Sequence, residues 1–286
     1  MGPCLFASPK KIWLTFAPDL MTQLPLVSVI TVVYNGERFL ANAIDSVLGQ
    51  TYPNIEYIII DGGSKDNTPS IIRKYEPRLA YWISEPDKGI SDAFNKGIAK
   101  ATGEWVGILN ADDWYEPDAV ERMMAAAKDK DVLYGDLSMW KDGKKDYTVK
   151  GNHEILTREM SVNHPTVFVR RSCYQQFGVF DLRYKCAMDY DVMLRFFTNG
   201  CRFSSVPGVI TNMRWAGVSD QRWFLACKET LAIKNKYLPN RKLLNRLYFY
   251  KHVSAIYITK KLGKGMLAPV IKWYRSRFAQ MEKVYE

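Results

Sequence analysis

The sequence predicts an α/β fold, a mostly parallel open sheet flanked by helices, followed by a helical, basic C-terminal tail. Three observations carry this. From residue 27 to residue 109, apolar, β-branched runs alternate with segments of helical periodicity. Those runs lack the in–out alternation of half-exposed strands, as expected of strands covered on both faces. The charge is also segregated. From Lys228 onward there are 14 Lys/Arg and 3 Asp/Glu, whereas the preceding 227 residues hold 26 basic and 27 acidic residues, so the +10 of the whole chain belongs to the tail.

The elements follow in order. VSVITVVY (27–34) reads as a buried parallel strand, and RFLANAIDSVLGQ (38–50) as a helix with Phe39, Leu40, Ala43, Ile44, Val47 and Leu48 on one face. EYIIID (56–61) is a second buried strand, and the turn-rich GGSKDNTP leads into a helix at SIIRKY. AYWISEPD (80–87) holds a short strand. ISDAFNKGIAKA (90–101) is a helix with Ala93, Phe94 and Ile98 inward, and WVGIL (105–109) is the next strand. Further on, PTVFVRR reads as a strand, SCYQQFG as a helix ending at glycine, and YKCAMDYDVMLRFFTNG (184–200) as a helix. The expected organisation is a disordered or mis-started segment over 1–22, with Met21 as the natural start, a main α/β domain over 23–220, and a helical, basic, aromatic extension over 221–286.

Composition bounds the chemistry. Hydrophobic content of 47% and charged content of 24% suit a globular chain with an ample core. No uncharged apolar run reaches the ~18 residues of a membrane span. Five cysteines lack metal-ligand or C-x-x-C spacing and read as reduced thiols. A cytoplasmic location follows as the expectation. No G-x-G-x-x-G follows the first strand and no G-x-x-x-x-G-K-[ST] is present, which argues against dinucleotide and P-loop folds. The three histidines offer no zinc-ligand spacing.

In open α/β sheets, ligands sit beyond the carboxyl ends of the strands. Here those ends are polar: Tyr34-Asn35, Asp61-Gly62-Gly63-Ser64, Glu85-Pro86-Asp87 and Asn110-Ala111-Asp112-Asp113. Adjacent carboxylates after a buried strand repel each other. They become favourable when Mg²⁺ or Mn²⁺ lies between them and a diphosphate, because these hard cations prefer carboxylate and phosphate oxygens. The alternative is that Asp112 and Asp113 cap a helix near 117–127, with Pro117 in its first turn.

The ordered segments SVITVVYNGERFLANAIDSVLGQTYPNIEYIIIDGGSKDNT and SEPDKGISDAFNKGIAKATGEWVGILNADDWY resemble the family-2 inverting glycosyltransferases, nearest the bacterial surface-polysaccharide branch, over residues ~26–215. The resemblance implies a glycosyltransferase A-type fold that binds a nucleotide-diphospho-sugar, chiefly a UDP-sugar, with Mn²⁺ or Mg²⁺. It implies that Tyr34 stacks on the base and that Asp61 lies in the base-recognition loop. Gly62 stands where the family usually has a second acid, and Asn110 where some members have an acid. Asp113 corresponds to the chief metal ligand and Asp112 to its neighbour near ribose and sugar. Lys88, Asp92 and Asn95 correspond to a helix start facing the donor; otherwise they are caps and a solvated face.

An inverting transfer also needs a general base for the acceptor hydroxyl. The resemblance assigns that role to Asp189, ahead of Y-D-x-x-L-R; the plainer reading is a carboxylate capping a helix. Asp191 is expected to pair with Arg195 one turn on. His164 is the acceptor-side candidate. The acceptor class implied is a glycan or lipid-linked glycan. The tail mixes Lys and Arg with Leu, Tyr, Phe and Trp, which suits peripheral attachment to the inner face of the cell membrane. It equally suits a helix packed on the catalytic domain. No nucleic-acid motif accompanies its charge. A non-catalytic nucleotide-sugar or polyanion-binding protein of the same fold is the competing class.

Overall fold

The computed structural model describes residues 24–214, 222–262 and 283–285. The expectations for residues 1–22, and for most of the tail past 262, lie outside the described residues. The first half follows the predicted alternation: β1 (Val27–Val33), α1 (Leu40–Leu48), β2 (Ile55–Asp61), α2 (Thr68–Tyr75), β3 (Tyr81–Ser84), α3 (Ile90–Lys100) and β4 (Trp105–Asn110). The second half comprises β5 (Trp114–Tyr115), α4 (Ala119–Ala125), β6 (Val132–Lys141), β7 (Lys144–Val149), β8 (Phe168–Arg170), α5 (Arg171–Phe177), α6 (Met188–Thr198), β9 (Phe203–Arg214), α7 (Trp223–Tyr237), α8 (Lys242–Leu262) and β10 (Lys283–Tyr285).

The strands join one sheet in the order β10-β7-β6-β8-β4-β1-β2-β3, with β9 beside β6 and β5. Pairing is parallel through β4-β1-β2-β3. Beyond β4 the sheet is mixed: β8 pairs antiparallel with β4 and β6, while β9 runs parallel to β6. The β6–β7 hairpin turns at Asp142 (φ 51°) and Gly143 (φ 76°). An Asp-Gly pair that takes two consecutive positive φ values is the sequence signature of such a turn.

Side chains of the parallel strands alternate between two cores. Ile30, Val32, Ile58, Ile60, Val106 and Ile108 pack on one face with α3 and α6. Val27, Val29, Val33, Ile59, Trp105 and Leu109 pack on the other with α1 and α4. Burying each such side chain contributes roughly 1.5–3 kcal/mol, which is why these strands are apolar throughout. α3 sits unusually close to β1: a Cβ on Gly97 would lie 2.4 Å from Ile30 Cγ2.

The register builds the rim. Val33 is level with Asp61, Asp61 with Ser84, and Val32 with Asn110. Tyr34, Gly62 and Glu85 therefore leave the sheet at one level, with Ala111 one residue short of it. The helix-cap alternative for Asp112 and Asp113 does not hold, because β5 intervenes and Asp118 occupies the N-cap of α4. The helix expected over 184–200 spans only Met188–Thr198.

Candidate active site

A cavity of about 740 Å³ opens at the rim, lined among others by Tyr34, Asp87, Ile90, Asn110, Asp112 and Asp113. Tyr34 follows a fully buried strand yet is 64% exposed, so its ring face is free to stack. Its loop is clasped to the loop after β2. Asn35, at φ 50°, donates its N–H to Ser64 Oγ (2.7 Å), and its Oδ1 accepts from the Lys65 N–H (2.9 Å). Gly36 donates to Thr68 Oγ1 at 2.9 Å.

Asp61 is fully buried and does not line the cavity. Both of its oxygens accept from the Ser64 N–H at 3.2 Å, and the Ser64 and Ser84 hydroxyls also donate to it. It ties the ends of β2 and β3 together. The adjoining Gly62 leaves a gap that Asp87 fills. A Cβ at Gly62 would lie 2.4 Å from Asp87 Oδ2 and 3.5 Å from Tyr34 Cδ2. Asp87 Oδ1 accepts from the Gly89 N–H at 2.7 Å, which fixes the carboxylate. The acid missing from position 62 is thus replaced in space by one from the β3 end. No chain-local signal gives that substitution.

Asp113 is 1% exposed. Its Oδ2 accepts from Asn110 Nδ2 at 3.3 Å, while its Oδ1 and the Asn110 Oδ1 are buried without a partner. Burial, then the neighbouring Asp112 charge, pushes its carboxyl up to about 8. Asp112 is half-buried beside it. Arg214, at the end of β9, donates to the Asp112 carbonyl and to Asn42 Oδ1 (2.8 Å), with its guanidinium over Phe39 (4.4 Å) and Trp114 (4.3 Å). It holds the Asp112 backbone from a strand more than 100 residues away in sequence, and sequence reading missed it.

Lys88, Asp92 and Asn95 do not line this cavity. Asp92 Oδ2 accepts from the Lys88 N–H at 3.0 Å and lies 3.8 Å from Lys96 Nζ, the partners of a helix start. Lys88 is exposed. Asn95 donates to the Phe180 carbonyl (2.8 Å) and accepts from the Phe180 N–H (2.9 Å). Both halves of its amide are therefore committed to packing α3 against the Phe180 loop.

A second cavity, about 430 Å³, adjoins the first. Ile90, Asn110 and Met213 line both, and Asp189, His164, Lys185, Cys186 and Arg222 line the second. His164 sits in a 3₁₀ turn (His164–Thr166) between Phe94 (5.5 Å) and Phe180 (5.7 Å). Burial lowers its pKa to about 4, so the ring is neutral near pH 7. Asp189 lies in the first turn of α6 and accepts from the Tyr190 N–H at 2.7 Å. Burial raises its carboxyl to about 6, with backbone hydrogen bonds opposing and Glu229 adding to the rise. Asp191 turns away from the cavity, 3.3 Å from Arg195, 3.1 Å from Lys236 Nζ and 3.0 Å from the Tyr237 hydroxyl. The expected i,i+4 pair is present, joined by two partners from α7.

α7 contributes one further group. Glu229 is buried, and its Oε1 accepts from the Lys185 N–H (2.9 Å) while Oε2 accepts from Cys186 (2.8 Å) and Ala187 (2.9 Å). These contacts anchor the three residues just ahead of α6, which starts at Met188. Helical periodicity in 184–200 carries no sign of a partner 40 residues away.

Residues 28–191 match the family model described as Glycosyl transferase family 2. The chain is 28% identical over 264 residues to a PGL/p-HBAD biosynthesis glycosyltransferase of Mycobacterium tuberculosis, covering 88% of this chain and 99% of the relative. Among solved structures it is similar to S. aureus TarS 1-349 (TM-score 0.58, 20% identity, 73% of this chain), of whose length it spans 65%. It is also similar to the mannosyltransferase PcManGT of Pyrobaculum calidifontis, solved with GDP-Man and Mn²⁺ (TM-score 0.59, 22% identity, 92% of this chain and 84% of that one). TarS 1-349 has been solved with UDP-GlcNAc as well. At these identities the solved structures establish the shared fold.

Proposed function

Because the chain belongs to glycosyl transferase family 2, we propose that it moves a sugar from a UDP-sugar to a hydroxyl of a glycan or lipid-linked glycan, with inversion and a divalent metal, in surface polysaccharide synthesis. The observation that supports this best is the junction of the two cavities. Tyr34, Asp87, Asp112 and Asp113 line one, Asp189 lines the other, and Ile90, Asn110 and Met213 border both. A donor in the first presents its anomeric carbon toward an acceptor in the second.

The donor base is uracil. A ring stacked on Tyr34 meets Asp87 Oδ2 above Gly62, while Asp87 Oδ1 is engaged by Gly89. One free carboxylate oxygen matches one donor, the N3–H of uracil. Adenine and cytosine place an acceptor nitrogen where uracil has that N–H and can meet the oxygen only through their exocyclic amino groups, and guanine presents two adjacent donors.

The residues present fit a divalent cation. Asp113 Oδ1 and Asn110 Oδ1 are buried oxygens without partners, and Asp112 stands beside them. Among the described residues no cluster of three His, Cys, Asp or Glu forms a metal site. Asp113 and Asp112 therefore supply part of the ligand set and the diphosphate supplies the rest, as Mg²⁺ and Mn²⁺ accept. When bound, Mn²⁺ or Mg²⁺ offsets charge on the departing diphosphate. Asp189 removes the acceptor hydroxyl proton as that oxygen bonds to the anomeric carbon. The carbon–oxygen bond to the diphosphate breaks with its electron pair, and attack from the opposite face inverts the centre.

The tail would bring the enzyme to its acceptor. No helix among the described residues is long and apolar enough to cross a membrane. α8 packs inward through Tyr248, whose hydroxyl donates to Glu159 (2.7 Å), and exposes Leu243, Leu244, Leu247, Tyr250, Tyr257 and Ile258 outward. Lys242, Arg246 and Lys251 flank that stripe. Apolar side chains rimmed by cations suit the interface of an anionic bilayer. The test is thermal stabilisation by UDP, GDP, CDP and ADP with and without Mn²⁺, followed by transfer assays with UDP-sugars. Mn²⁺-dependent stabilisation by UDP above the others is expected. Equal response to all four, or transfer without metal, overturns the respective part.

A further inference from the structure

We propose that Glu229, on the C-terminal helix α7 and outside the family-matched segment, is a positioning residue for the general base, so that α7 completes the active site. The inference rests on the reading of Asp189 as that base. A helix start leaves several backbone N–H groups without partners, and a side chain of the capping residue usually serves one of them. α6 has no such cap: Ala187 stands at its N-cap position and offers no side-chain acceptor. One carboxylate from α7 instead takes the Ala187 N–H at that position together with the Lys185 and Cys186 N–H groups just ahead of it, at 2.8–2.9 Å. Hydrogen bonds to a charged acceptor are among the stronger ones, and three that converge on one group fix the backbone two residues ahead of Asp189.

The attachment of α7 is itself secured on the far side of α6. Asp191, fully buried, meets Lys236 and Tyr237 from the same helix. α6 is thus gripped at its start by Glu229 and one turn further by the Asp191 cluster. Both grips come from residues that follow the family-matched segment. A base that must meet a hydroxyl within hydrogen-bond reach gains from such a frame, because small displacements of the reacting groups cost large factors in rate.

Glu229 also acts through charge. The other ionisable groups that share the cavity of Asp189 are His164, Lys185, Cys186 and Arg222, and Glu229 lies behind it on α7. His164 is held neutral by burial. Burial raises the Asp189 carboxyl and the Glu229 charge adds to the rise, which makes Asp189 a stronger base when ionised. Removing the negative charge lowers the pKa of Asp189. The acidic limb of the rate profile then moves to lower pH.

The experiment measures pH profiles of kcat and kcat/KM for full-length wild type, Glu229→Gln, Glu229→Asp and Asp189→Asn, with melting temperatures and UDP affinity for each. Glu229→Gln keeps the side-chain length, loses the charge and turns a donor toward one N–H. It should lower kcat about tenfold, leave UDP affinity unchanged, and shift the acidic limb to lower pH. Glu229→Asp should return the limb toward the wild-type position. If Glu229→Gln is destabilised but its folded fraction retains the wild-type kcat and limb, Glu229 is a fold clasp and the proposal is overturned. If Glu229→Gln does not fold, the limb and kcat of Glu229→Asp decide, since shortening the carboxylate should still lower kcat. Wild-type transfer by Asp189→Asn removes the base reading itself, whatever Glu229 does.

Discussion

The two sides of the cleft are built differently. On the proposed donor side, Tyr34, Asp112 and Asp113 follow the buried parallel strands β1 and β4, and Asp87 follows the half-buried β3 of the same parallel set. On the acceptor side, Asp189 sits on a helix whose start is shaped by Glu229, and Asp191 in the same helix turn is held by Lys236 and Tyr237. The donor side is secured by the sheet register. The acceptor side is secured by contacts between segments about 40 residues apart.

The sharpest break between the two sides is Asp113→Ala. It should abolish Mn²⁺-dependent binding of UDP while the circular dichroism spectrum and the Asp189 side stay intact, and undiminished binding by a folded variant would count against the metal assignment. Asp189→Asn should do the converse. Transfer should fall by ~10²-fold or more, the usual consequence of losing a general base, with UDP affinity retained. In the wild type, transfer should also fall as pH drops through about 6, since the acting carboxylate is protonated below that value. A flat profile between pH 5 and 7 would separate Asp189 from the chemical step.

Smaller effects sharpen the contrast. Asp191→Ala leaves Arg195 and Lys236 without their buried partner, and breaking such a cluster costs about 3 kcal/mol. Because Arg195 and Lys236 keep some access to solvent, urea unfolding should register that loss or somewhat less, with UDP binding in the folded protein unchanged. Asp87→Asn should weaken UDP and narrow its advantage over CDP, because an amide can present a donor where the carboxylate accepts; an unchanged ratio would return base selection to other groups. The slightest effect is on the membrane surface. Each exposed cation contributes on the order of 1 kcal/mol at an anionic surface, less as salt rises. Full-length protein should sediment with anionic liposomes at low salt, and replacing Lys242, Arg246 and Lys251 with Gln should reduce the bound fraction. Equal sedimentation would assign α8 to packing alone.

Much of this was legible from residues 27–113 alone. Strands buried on both faces are apolar at every position, and their polar ends stand out in a single chain. Asp112 and Asp113 are conspicuous there because nothing apolar requires them. The helix α6, its Asp189 and the Asp191–Arg195 pair were also readable, since they follow from a helical period and an i,i+4 spacing. What the tertiary structure decided concerns partners far away in sequence. Asp61 was expected in the base-recognition loop, and its carboxylate is enclosed by Ser64 and Ser84 at the end of β2. Asn95 was expected near the donor and is spent on Phe180. Asp87 occupies the space above Gly62, Arg214 holds the Asp112 backbone, and Glu229 anchors the residues just ahead of α6. Periodicity reports which face of an element is buried. It carries no record of which other segment covers that face, so hydrogen bonds that close loops of 40 to 100 residues emerge only once the chain is packed.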